Sequence, residues 1–252
     1  VGIYSNYSLI INMISSFIYL LVSNVIASLG NLIASENPKK CFKVFNEMNF
    51  ICFVLYGISF VCFINLFNPF IELVFGSNYL LTMPVVYIIV INFYLTGLNN
   101  VVISIQTASG LYEKDKYVPL IQSAVNLVIS IYLGKKIGLA GVFIGTIIST
   151  FIPLIVKPVI VYKNVFKENV TLYFKDFTKQ AIVVIISVYI STFIAKYVQI
   201  SNFYINFVVL LLISLVVPCV IIFIVFHKNE AYKNVISRIK HIFNNITKKI
   251  RG

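Results

Sequence analysis

Asn24, Ser28 and Asn31 recur at i, i+4 and i+7 within one apolar run, a spacing that puts their side chains on one face of a helix. Asn12 and Ser16 precede them in the same run. A second run repeats the pattern with Asn92, Thr96 and Asn99. Asn100, Ser104 and Thr107 follow on a neighbouring face, with Gln106 nearby. A third run holds Gln122, Asn126 and Ser130. These are uncharged amides and hydroxyls, groups that hydrogen-bond to sugar hydroxyls without demanding a fixed ion. In hydrocarbon, such side chains face either an aqueous cavity or another helix. The first would make the three stripes the wall of one hydrophilic cavity, and the second would make them interhelical glue. Spacing does not separate the two.

Reactive chemistry has little to work with. An enzyme needs a positioned acid, base, nucleophile or metal, and no Asp, Glu, His or Arg lies near the middle of an apolar run. Glu113 and Asp115 sit in a short loop where Lys114 and Lys116 balance them. Lys157 lies near one end of its run, from which it can snorkel to the interface. Glu47 and Glu72 are expected at the interfaces, and His227 and His241 flank or occupy the tail. Cys41, Cys52, Cys62 and Cys219 lack CxxC or CxxH spacing. Neither catalysis nor a metal or other cofactor is expected.

The elements that hold these residues follow from composition. Of 252 residues, 60% are hydrophobic and 11% charged, with a mean hydropathy of +0.95. Soluble domains carry about 25% charged residues, and so much apolar surface cannot be hidden in a water-soluble fold. Crossing about 30 Å of hydrocarbon takes about 20 helical residues. Runs of that order cover 8–34, 45–67, 84–108, 118–134, 138–162, 179–198 and 204–227. Strict apolar/polar alternation is absent, which argues against a membrane β-barrel. The expected fold is an all-α polytopic membrane protein with about seven transmembrane helices. It divides into five spans over 1–162, a basic interfacial linker with two further spans over 163–227, and a basic tail over 228–252.

Charge sets the expected orientation. With alternating spans, 17 of the 20 Lys and Arg fall on one side, leaving only Lys135, Lys136 and Lys196 on the other. Positively charged connections stay in the cytoplasm, so the C-terminus is expected there and residue 1 outside. The tail places Val235, Ile239, Ile242, Ile246 and Ile250 on one helical face opposite its Lys and Arg. Such a helix lies among anionic headgroups; a frayed basic tail is the alternative. The net charge of +12 follows topology instead of forming a basic–aromatic surface, so nucleic acid is not an expected partner.

Other residues speak to packing. Gly141, Gly145 and Ser149 form a small-residue ridge that lets helices approach closely. Pro153 and Pro218 each remove a backbone hydrogen bond within a span and serve as kinks or hinges.

The segments "VGIYSNYSLI", "FGSNYL", "INFYLTG" and "GLAGVFIGTIIST" running into "KPVIVYKNVFK" resemble, in that order, the C-terminal part of Wzx-type polysaccharide flippases. These belong to the polysaccharide transporter family of the MOP exporter superfamily. The resemblance covers essentially the whole chain. It implies a C-terminal lobe plus two extra helices, the eighth to fourteenth of a two-lobed fold rocking around a central cavity. On that comparison Val1 follows a seventh helix, the chain is a C-terminal fragment, and Tyr4 to Tyr7 lie in the outer headgroup zone. The implied activity is flipping of undecaprenyl-diphosphate-linked oligosaccharide repeat units across the bacterial cytoplasmic membrane for O-antigen, capsule or exopolysaccharide. The implied partners are that substrate and a polymerase or glycosyltransferase assembly, while anionic lipid is expected at the tail from the tail's own charge pattern. The alternatives are a MATE-like drug/cation antiporter, which should show an intramembrane carboxylate, and a membrane polysaccharide polymerase or ligase, which should show a large Arg- and His-bearing outer loop.

Overall fold

The computed structural model describes residues 2–34, 37–198 and 200–251, and side chains throughout these except at 24–32, 34 and 241–251. In chain order the helices are α1 (Gly2–Ala34), α2 (Pro38–Phe75), α3 (Met83–Ala108), the single turn α4 (Tyr112–Asp115), α5 (Val118–Ile137), α6 (Leu139–Val161), α7 (Thr171–Tyr197), α8 (Phe203–Phe226) and α9 (Glu230–Arg251). No strand occurs among the described residues. All but α4 and α9 are long and apolar enough to cross a bilayer, which makes this a multi-pass, all-helical membrane protein. The seven expected spans each overlap one of these helices.

Local chemistry explains where the helices exceed the apolar runs. α2 starts at Pro38, whose missing N–H suits a first helical position, and the Asn37 side chain accepts from the Lys40 N–H at 3.1 Å. It runs past residue 67 through Phe70, Ile71 and Leu73 until Gly76, at φ 93°, ends it. Its 38 residues reach about 57 Å, well beyond the hydrocarbon, so its ends project past the core. α7 likewise begins at Thr171, bringing Lys175 and Asp176 into its first turns. α5 and α6 form an antiparallel hairpin turning on Gly138 at φ 64°. Pro153 and Pro218 lie buried inside continuous helices.

α2 is the hub. It packs against α1, α3, α7, α8 and α9, while α3 leans on α6 and α6 on α5. Helix association in lipid depends on close fit and hydrogen bonding, because lipid tails are as apolar as leucine. Gly97 of α3 illustrates the fit: a Cβ there would stand 2.2 Å from the Tyr56 ring of α2. A Gly141 Cβ would meet the Leu133 carbonyl at 2.3 Å, and a Gly145 Cβ would meet Ser130 Oγ at 2.3 Å. The small-residue ridge is thus where α6 meets α5, and Ser149 on the same ridge is fully buried. α5 buries only Val118 and exposes Leu120, Ile121, Leu127 and Val128, a face composed for lipid.

The two ends of the bundle differ. At the lysine-rich end, Phe42 and Phe45 of α2 meet Tyr162 and Phe166 in the π-turn after α6, and Phe50 meets Phe226 and Tyr232. At the other end, the Tyr4 and Phe143 rings meet at a tilt of 43°, with centres 4.6 Å apart.

Candidate functional site

Helix α1 carries a groove of about 690 Å³ along one exposed face, lined by Ser5, Ser8, Asn12 and Ser16 between Leu9, Met13, Phe17 and Leu20. Asn12 and Ser16 are exposed, and neither side chain makes a hydrogen bond among the described residues. Ser8 folds back, donating to the Tyr4 carbonyl at 3.1 Å. The stripe therefore extends four residues or more toward the helix start beyond Asn12. Asn24, Ser28 and Asn31, its expected continuation, have side chains outside the described residues.

The other two stripes do not open onto this groove, whose lining is α1 alone. On α3, Thr96 is exposed and Asn92 half-buried, while Asn99 is buried; the Asn92 and Asn99 Oδ1 atoms are enclosed without a hydrogen-bond partner. Asn100 Nδ2 lies 3.5 Å from the Tyr56 hydroxyl. On α5, Gln122 and Asn126 are half-buried, and Ser130 Oγ lies 2.7 Å from Asn126 Oδ1 and 3.1 Å from the Val142 carbonyl of α6. The α5 stripe thus meets the glycine ridge of its hairpin partner.

Three polar clusters escape a reading by periodicity. Asn65 of α2 donates to Ser191 Oγ of α7 at 2.9 Å and Ser214 Oγ of α8 at 3.0 Å, and accepts from Thr192 Oγ1 at 2.9 Å. One amide thereby joins three helices. Tyr7, fully buried, donates to Asn68 Oδ1 at 2.6 Å and accepts from the Leu81 N–H at 3.0 Å, while Asn68 Nδ2 donates to the Leu81 carbonyl at 3.1 Å. Tyr7 is therefore a bolt between α1, α2 and the turn after α2, not a headgroup anchor.

The third cluster holds the charges. Lys157 of α6 does not snorkel outward; its ammonium pairs with Asp115 of α4 and donates to Gln106 Oε1 of α3 at 3.0 Å. Asp115 is thus paired with a residue 42 positions away, while the neighbouring Lys114 turns to Asn164. Glu47 is likewise buried in α2, where Arg238 Nε of α9 meets its Oε2 at 2.7 Å. Burial decides both cases, because a carboxylate removed from water needs a charged partner. Asn65 and Asn68, at i and i+3 near the end of an apolar run, were the one available signal for the first two clusters.

No protein-family model, curated protein or solved structure matches this chain.

Proposed function

We propose that this chain forms one lobe of a flippase for undecaprenyl-diphosphate-linked oligosaccharides, with the α1 groove on the substrate path. One observation carries the reading. Asn12 and Ser16 are exposed on a membrane-spanning helix with no hydrogen-bond partner in the bundle. Hydrocarbon is a poor neighbour for an amide, so this face is suited to water, sugar hydroxyls or a second lobe across a cavity. The uncharged stripe suits a saccharide head, and the motif resemblance points to the same family.

On this reading the diphosphate is met by basic groups of a facing lobe, because Lys157 is already committed to Asp115. The lysine-rich end is cytoplasmic, the membrane is the bacterial inner one, and the flippase hands its cargo to a surface-polysaccharide polymerase.

The test is transport by the complete protein in proteoliposomes, followed by protection of a fluorescent lipid-linked oligosaccharide from an external glycosidase. Wild-type protein should scramble or pump the lipid, and Asn12→Leu/Ser16→Leu should slow it about tenfold or more, equivalent to about 1.4 kcal/mol in the transition state. Full activity of that variant, or no movement of any lipid-linked sugar by the wild type, overturns the proposal.

A further inference from the structure

A second cavity, of about 360 Å³, lies at the lysine-rich end where α2, α7, α8 and α9 meet, remote from the α1 groove. That volume falls within the range of about 300–1,000 Å³ common to small-molecule sites. Its depth is set by its walls. They come from the first four turns of α2, the first three of α7, the first two of α9 and from Phe226, the last residue of α8, so the cavity opens at the polar end of the bundle, within reach of lipid headgroups.

Two of its polar side chains have no partner. Gln180 is 4% exposed and Asn49 is 8% exposed, yet neither amide makes a hydrogen bond among the described residues. Buried amides are ordinarily satisfied, and these two border a cavity instead of a neighbour. The half-buried Asn46 and Asn234 add further carboxamides. Around this ring stand the Lys43 ammonium and two carboxylates, Asp176 and Glu230, and a second ammonium, Lys179, lies 4.7 Å from the centre of the Phe226 ring and interacts with Asp176. Phe50 and Phe226, in ring contact at 5.3 Å between centres, supply the apolar wall.

Charge selects the ligand. A purely anionic group would meet Lys43 and Lys179 but suffer Asp176 and Glu230, and a purely cationic one would suffer the two ammonium groups. A neutral sugar would satisfy the amides and leave the charges of both signs unused. A phosphate joined to a primary ammonium uses every group: Lys43 and the amides hydrogen-bond to phosphate oxygens, the carboxylates receive the ammonium, and the phenyl rings receive the upper acyl chain. We propose that this cavity binds the headgroup of an aminophospholipid from the surrounding membrane. Arg238, tied to Glu47 at 2.7 Å, holds α9 as the cavity's fourth wall, so occupancy couples lipid to the position of the tail.

The experiment is native mass spectrometry of the full chain. It is released from detergent micelles holding equal amounts of phosphatidylethanolamine, phosphatidylglycerol and a monoglucosyl diacylglycerol with matched acyl chains. Phosphatidylethanolamine should be retained about fivefold over phosphatidylglycerol, the preference expected of one partly exposed charge pair. Asp176→Asn/Glu230→Gln should abolish that preference, and Lys43→Gln should weaken both phospholipids together. Asp176, Glu230 and Lys43 are exposed, so these variants keep the fold, as helical circular dichroism will verify. Equal retention of the two phospholipids, preference for the glucolipid, retention of none, or unchanged selectivity in the carboxylate variant overturns the proposal. Full displacement by soluble glycerophosphoethanolamine at the same concentration overturns the assignment to a membrane lipid.

Discussion

Lys157 and Asp115, 42 residues apart in sequence, form a largely buried ion pair whose side chains are 13% and 9% exposed, with Gln106 completing the ammonium's shell at 3.0 Å. This contact fastens the loop helix α4 to α6 and α3 at the lysine-rich end. Removing one partner strands the other charge. Lys157→Met should cost about 3 kcal/mol and Asp115→Leu about as much, while Lys157→Met/Asp115→Leu should recover most of the loss. Unfolding in mixed micelles, monitored by circular dichroism, will measure the cycle; additive single-mutant losses would show that the pair is not coupled.

Asn65 should behave as a joint for three helices. Its hydrogen bonds to Ser191, Ser214 and Thr192 are individually modest in a membrane, about 0.6 kcal/mol each on average. Asn65→Leu should therefore lose about 2 kcal/mol. Cysteine pairs bridging α2 to α7 should also cross-link more slowly in that variant. A loss near zero would mean that packing alone holds α7 and α8.

These two predictions mark how far the sequence could be read. Run length and composition located all seven spans, because crossing hydrocarbon is a local requirement that each helix meets alone. Lys157 looked like an interfacial lysine because nothing on its own helix pairs with it; its partner comes from another element. Asn65 had the same difficulty, since its partners lie 126 to 149 residues further along. The glycine ridge was legible as a packing surface, but its partner helix was not. Asn12 and Ser16 were legible as a stripe, and only the packing of α1 shows that the stripe faces away from the bundle.

The α5–α6 hairpin offers a graded test of close packing. Gly141→Ala puts a methyl group 2.3 Å from the Leu133 carbonyl, a backbone atom that cannot rotate aside. The cost should be about 1–3 kcal/mol. Gly134→Ala meets only a Val142 methyl at 3.1 Å and should cost much less. Thermal unfolding of the two variants in the same detergent gives the comparison, and equal losses would contradict the geometry.

Solvent access along α1 can be mapped directly. After the four native cysteines are replaced, single cysteines at Asn12 and Ser16 should react with a membrane-impermeant maleimide in the membrane-embedded protein. A cysteine at Ile18, which is buried, should not. Protection at Asn12 and Ser16 that persists in detergent would mean that another protein surface covers the groove.

The Asn65 joint also sets a schedule for synthesis. Residue 65 enters the membrane long before residues 191, 192 and 214 exist. At about 5–20 residues per second, the 126 residues that separate Asn65 from Ser191 take about 6–25 s to make. Throughout that interval α2 carries a carboxamide in hydrocarbon with none of its eventual partners synthesised. The half-made bundle is therefore one polar side chain short of satisfaction, and the insertion machinery, water or a lipid ester must stand in until α7 and α8 arrive.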